Sequence, residues 1–345
     1  MTRGNPFTVT FGKQPNKVIS RYEDVDQIVS TFDAEHAVSQ TFLIEGIRGS
    51  GKTVLMTTVA GILSEKKDWI VINLNPALDL LTGFALRLSE ACGVKSDLLK
   101  RGFQVSAAGF GVGINAPESA DPVGTIDRSF TNLMKKTKKV LITIDEAVDD
   151  DNMKVFASQF QIFVRQDYPI FLIMTGLYEN INRIQNNPSL TFLLRVPKVT
   201  TGPLSMLQIS HQYREIFDVD EDRATELAEI TKGYAFAFQA LGVCCWEYKG
   251  SDDRLILEKL DELLDDYVYK KIWASLTPKE REIVKAMHAE EEKVGTICER
   301  LNMSNGSFSR YKENLMDKGI LYASGYGHVA PALPRFREVV KSYRV

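Results

Sequence analysis

Gly46-Ile47-Arg48-Gly49-Ser50-Gly51-Lys52-Thr53 fits the pattern G-x-x-x-x-G-K-[ST]. An apolar run at 41–44 precedes it and reads as a buried strand; a helix-forming run at 54–63 follows it. The chemistry needs this order. Glycines let the backbone wrap around phosphate oxygens with successive N–H groups turned inward, and the following helix contributes its positive dipole end. Lys52 supplies a point charge for the β- and γ-phosphates of ATP, and the Thr53 hydroxyl is a Mg²⁺ ligand. Nucleotide contacts are therefore expected from Gly46, Ile47, Arg48, Gly49, Ser50, Gly51, Lys52, Thr53 and Val54.

About ninety residues on, the apolar run 140–144 ends in Asp145-Glu146. An almost wholly apolar run suits a central parallel strand buried on both faces, and open α/β sheets bind ligands at the C-terminal ends of their strands. Asp145 is placed to hold Mg²⁺ and Glu146 to polarise the attacking water.

The chain has 345 residues, 44% of them hydrophobic, which suits two or three domains with proper cores. A net charge of −3 announces no global basic field for nucleic acid. Neither a leader-type apolar segment nor a membrane-length run is visible. The four cysteines, Cys92, Cys244, Cys245 and Cys298, lack metal-ligand spacing and read as reduced, buried thiols of a cytoplasmic protein.

Outward from the motif, the pattern alternates. Ser20 and Glu23 read as a capping box for a short helix striped with Val25, Ile28, Val29 and Phe32. Strands are expected at 69–74, 140–144, 169–176 and, edge-like, 196–203, with helices at 78–92, 126–134, 152–165 and 177–185. Repeated strand–helix alternation requires a mainly parallel sheet with helices on both faces. The glycine-rich stretch 101–125, with a hairpin expected near 105–112, reads as a surface insertion. Helices at 206–217, 221–231 and 236–248 and an acidic helix near 252–266 follow without strands.

Leu276-Thr277-Pro278-Lys279-Glu280 opens a last module with a capping box and proline at the first helical position. Helices at 279–289, 295–301 and 306–318 and a hairpin turning at Ser324-Gly325 give a winged helix-turn-helix. The expected organisation is a nucleotide-binding α/β domain at 1–204, a helical lid at 205–270 and the winged helix at 271–345.

Taken together, these motifs resemble the AAA+ P-loop ATPases, and most closely the prokaryotic ATPases related to origin-recognition-type replication initiators. The resemblance implies a P-loop NTPase sheet, a lid and a winged helix in that order. It implies that Asn5-Pro6-Phe7 with Arg21-Tyr22-Glu23 forms an N-terminal box over adenine, that Thr175 is the sensor at the tip of the strand beside the acidic one, and that Arg195 is an arginine finger reaching a neighbouring copy in a homo-oligomer. Asn73 or Asn75 would restrain Glu146. The family's sensor-2 arginine is missing: the corresponding stretch, 233–239, has neither arginine nor proline, and Lys232 precedes its glycine.

In a winged helix the third helix enters the major groove, so Asn305, Ser307, Arg310 and Lys312 are the expected DNA contacts, beside Phe308 and Ser309. From Ser304 to Val345 seven basic residues face three acidic ones, a local +4 on an acidic chain. The reading is a Mg-ATP-binding ATPase with double-stranded DNA as partner. Its rivals are a STAND-like nucleotide switch and an ATPase adaptor for a mobile-element transposase or recombinase.

Overall fold

The computed structural model describes residues 4–10, 17–94 and 121–344. The chain forms two compact units: Tyr22–Glu45 with Lys52–Thr200, and Met1–Arg21 with Gly46–Gly51 and Thr201–Val345.

The first of these is built on a five-stranded parallel sheet, β1 (Thr41–Glu45), β2 (Trp69–Leu74), β3 (Lys139–Ile144), β4 (Ile170–Gly176) and β5 (Lys198–Thr200), in the order β2-β3-β4-β1-β5. The strand pattern explains the layers. Successive side chains leave a strand on opposite faces, and both faces here are apolar. Phe42, Ile44, Leu141, Phe171 and Ile173 pack with α1 (Tyr22–Asp33) and α2 (Lys52–Ser64). Their alternates Leu43, Val140, Ile142, Ile144, Leu172 and Met174 pack against α3 (Leu80–Cys92), α4 (Pro122–Met134), α5 (Asp151–Arg165) and α6 (Tyr178–Gln185). A 3₁₀ segment, Pro188–Arg195, leads into β5, which is an edge strand as its proline-flanked sequence suggested.

Local chemistry sets the boundaries. Asp79 caps α3 through Thr82 N, Asp121 caps α4 through Gly124 N with Pro122 in the first turn, and Asp150 caps α5 through Met153 N. Helix α4 thus begins four residues before the expected 126. The rest of the expected insertion, including its hairpin, lies outside the described residues. Helix α1 begins at Tyr22, later than a Ser20 cap would place it.

The other unit is helical, α7 (Met206–Phe217), α8 (Glu221–Thr231), α9 (Ala235–Glu247), α10 (Asp253–Leu264) and α11 (Lys270–Ser275), with a π turn at Asp265–Tyr269. Phe7 is buried in this core: its ring stacks on Phe217 at 5.7 Å and meets Phe238 edge-on at 5.6 Å. Gly242 makes room for it, since a Cβ there would lie 2.4 Å from the ring.

The unit continues through α12 (Pro278–Ala286), β6 (Glu292–Lys293), α13 (Val294–Arg300), α14 (Asn305–Asp317), β7 (Leu321–Gly325), β8 (His328–Pro331) and α15 (Phe336–Val340). The Thr277–Glu280 capping box is present in full. The three short strands pair antiparallel in the order β6-β8-β7. Two expectations are corrected. Helix α12 stops at Ala286 rather than 289, and the hairpin reverses at Tyr326-Gly327, where Gly327 takes φ +71°, not at Ser324-Gly325. Glycine tolerates that left-handed conformation without the steric cost of a Cβ.

All four cysteines are free thiols; Cys92 is only half-buried. Burial pushes Cys244 up to about 12 and Cys245 up to about 11. Among the described residues no helix is long and apolar enough to cross a membrane.

Candidate nucleotide-binding site

The sheet unit gathers the acidic strand tip. Asp145 follows β3, and Thr175 is the penultimate residue of β4, so the parallel register (Ile144 beside Met174) brings them together. Thr53, in the first turn of α2, donates its hydroxyl to Asp145 Oδ2 at 2.8 Å. The fully buried Thr175 hydroxyl donates to Asp145 Oδ1, which also accepts the Glu146 amide at 3.1 Å. The Ala147 amide donates to the Thr175 carbonyl at 2.7 Å. Both oxygens of Asp145 are therefore held by the residues that flank the site in sequence and in the sheet.

Glu146 is exposed, sits at φ +56°, and its carboxylate makes no hydrogen bond among the described residues. A non-glycine residue in that region is uncommon. Here the Glu146 amide braces Asp145 while the side chain stays exposed. Lys52 is 5% exposed at the start of α2. Asn73 accepts from the Thr143 hydroxyl and Asn75 from the Ala77 amide. Arg195 is exposed at the end of the 3₁₀ segment and makes no side-chain hydrogen bond or ion pair among the described residues.

In the other unit lie residues 46–51, and the carbonyls of residues 48, 49 and 50 are each held by a donor. The Tyr234 hydroxyl donates to the Arg48 carbonyl, the Phe236 amide to the Gly49 carbonyl at 3.0 Å, and the Arg21 guanidinium to the Ser50 carbonyl at 3.1 Å. Arg21 also donates to the Gly202 carbonyl, and the Ser50 and Thr201 hydroxyls share a 2.6 Å hydrogen bond. Because a peptide unit is planar and trans, carbonyls of residues 48, 49 and 50 that face outward turn the N–H groups of 49, 50 and 51 the opposite way. The Ser50 amide closes a turn on the Ile47 carbonyl at 3.2 Å. Gly49 is at φ +75°, and a Cβ there would lie 2.4 Å from the Tyr234 hydroxyl. Arg21 thus braces the loop backbone.

Sequence reading missed Thr201, Tyr234 and the Phe236 amide. Gly233-Tyr234 was legible only as the start of a lid helix, and no spacing rule links residues 186 positions apart.

On α14, Asn305, Ser307 and Arg310 are exposed and Lys312 half-buried, while Phe308 and Leu315 anchor the helix in the core. Ser304 caps it through Ser307 N at 3.3 Å.

Comparison with known proteins places the fold. The chain is similar in structure to the Walker-type ATPase PABY2304 of Pyrococcus abyssi, with a TM-score of 0.64 at 15% identity, covering 94% of this chain and 96% of that one. The ORC2 protein of Aeropyrum pernix, solved in ADPNP–ADP complexes, gives a TM-score of 0.61 at 14% identity, covering 96% and 95%. The parallel sheet with its flanking helices therefore has the fold of these two solved proteins. Residues 266–340 match the family described as a domain of unknown function, DUF8462. No curated protein matches the sequence.

Proposed function

We propose that this protein binds ATP with magnesium, hydrolyses it, and contacts duplex DNA through a winged helix-turn-helix formed by α12 to β8. The observation that carries the nucleotide reading is Asp145, braced by Thr53, Thr175 and the Glu146 amide at the strand tips of an AAA+ sheet whose first strand runs into a complete phosphate-loop motif.

The Thr53 hydroxyl and Asp145 carboxylate fit a magnesium ion, which takes hard oxygen ligands and keeps several waters, so two protein groups suffice. When bound, the ion neutralises charge on the β- and γ-phosphates. The chain's own residues do the rest. Lys52 opposes phosphate charge, the loop amides cradle oxygens, and Glu146, with its carboxylate unengaged, orients a water for in-line attack. Catalysis of this kind is positional and electrostatic. Thr175 keeps Asp145 aimed. Arg195, exposed and without a partner among the described residues, is available to a second copy of the chain.

For DNA, α14 presents Asn305, Ser307, Arg310 and Lys312, and the segment from 304 onward is locally basic. The test is an ATPase assay with and without duplex DNA. Turnover that rises with DNA supports the full reading; turnover indifferent to DNA removes the DNA half; no nucleotide binding removes both. One observation favours a second reading, a nucleotide-held switch: the lid start has no arginine, and Tyr234 engages the loop instead. Tightly retained ADP without DNA affinity would mark that outcome.

A further inference from the structure

The contacts at residues 48–50 have a chemistry that the motif alone does not require. A phosphate loop has to keep its carbonyls away from an anion, because a C=O directed at a phosphate oxygen is repulsive. In this chain that task is divided among three donors from two places in the sequence: a phenol (Tyr234), a main-chain amide at the first turn of α9 (Phe236) and a guanidinium (Arg21). Two of the three belong to the start of one helix.

We propose that Tyr234 and the Phe236 amide form a latch that sets the phosphate loop in its anion-accepting conformation and couples nucleotide occupancy to the first turn of α9, so that Tyr234 is a positioning residue for nucleotide binding. The proposal rests on the nucleotide-binding reading above and deepens it.

Four observations carry it. Tyr234 is 6% exposed, so its ring is fixed and its hydroxyl has one direction to point. Burial pushes that hydroxyl well above its ordinary range, so it stays a proton donor at every working pH. Helix first-turn amides lack intrahelical acceptors, and α9 has no side-chain cap, so the Gly49 carbonyl supplies what a capping side chain would. Gly49 cannot carry a side chain against Tyr234, because a Cβ would lie 2.4 Å from the hydroxyl and 3.0 Å from Phe236 Cβ. Loop and helix start are in direct contact along their backbones, so neither shifts without the other. The chain needs no arginine at 233–239 for this: charge recognition at that point is replaced by control of the loop's peptide planes.

The consequence runs both ways, as linkage demands. Nucleotide that fixes the loop should fix the first turn of α9, and loosening that turn should weaken nucleotide.

The experiment compares wild type with Tyr234→Phe, using ADP as the probe. Calorimetry gives the ADP affinity, and amide hydrogen exchange follows residues 235–238 with and without ADP. In the wild type, ADP should slow exchange over 235–238. Tyr234→Phe should bind ADP roughly tenfold more weakly, the effect of one hydrogen bond, and should lose the ADP-dependent protection while its circular dichroism stays that of the wild type. A merely structural tyrosine would lower the melting temperature of the ADP-free protein and leave the ADP-dependent protection in place. Equal ADP affinity and equal protection in the two proteins overturn the latch. Should the variant not fold, the wild type decides alone: ADP binding without any change in exchange at 235–238 overturns it. Failure of the wild type to bind ADP or ATP at all is a different result, since it removes the nucleotide reading itself.

Discussion

The Thr53 hydroxyl donates to Asp145 Oδ2 across 2.8 Å, joining the first turn of α2 to the tip of β3 although the two residues are 92 positions apart. Asp145 holds a second threonine, Thr175, on its other oxygen. One carboxylate thus ties together the helix after the phosphate loop and two neighbouring strands. Small changes at this point should separate binding from chemistry.

Lys52→Ala should weaken ATP binding by roughly ten- to a hundredfold, the range for a hydrogen bond from a charged group. Calorimetry with ATP and magnesium measures it. Affinity equal to the wild type would mean the lysine does not face phosphate.

Glu146→Gln keeps the shape of the turn and the amide that braces Asp145 but cannot polarise water. The hydrolysis rate should fall by roughly a hundredfold or more while ATP affinity holds. Single-turnover assays check it, and wild-type turnover in the variant would remove Glu146 from the chemistry.

On α14, the double variant Arg310→Ala/Lys312→Ala should reduce the salt slope of duplex binding by about two, one phosphate for each cation. Anisotropy across a salt series, with ATP present, reads this. An unchanged slope would argue that α14 faces protein instead.

The pH dependence of stability offers a test outside the site. A hydrogen bond from Lys66, at 2.7 Å, holds the Asp33 carboxyl below its ordinary value. A depressed carboxylate contributes stability that is present above its unfolded value of about 3.9 and is lost as pH falls through its folded value. Both side chains are partly exposed, so the contribution is small. Asp33→Asn should lower the melting temperature at pH 7 by about 1–2 °C, and the difference should shrink as pH falls through the carboxyl's lowered folded-state value. A difference that grows as pH falls would have the wrong sign for this pair.

How far the fold was legible follows from what each element depends on. Strand β2 spans the β-branched and apolar run from Trp69 to Leu74 that the sequence shows, interrupted only by the exposed Asn73. Helix α12 begins where the Thr277–Glu280 box says, because capping is chemistry of adjacent residues. The hairpin turn was misplaced because Ser324-Gly325 and Tyr326-Gly327 both offer a glycine for a turn, and the β7–β8 pairing, which runs to Gly325–His328, leaves only the second pair between the strands. Within the site, Gly46 to Thr53 and Asp145-Glu146 were legible because their spacing is chemical. The bond of Arg21 to the Ser50 carbonyl and that of Tyr234 to Arg48 were not. Both are donors to backbone carbonyls, and a carbonyl leaves no signature in the sequence.

Strand β4 lies between the strand that enters the phosphate loop and the strand that Asp145 follows, paired with β1 from Thr41–Leu172 to Glu45–Gly176 and with β3 from Val140–Ile170 to Ile144–Met174. Two inter-strand spacings, about 9.5 Å, therefore separate those outer strands, and ladder hydrogen bonds on both sides maintain the distance. The sheet acts as a fixed gauge whose width owes nothing to what occupies it. Changes in ligand size or state must be absorbed by the turns beyond the strand ends, so variants that alter nucleotide preference should map to those turns, while substitutions along β4 should register as lost stability.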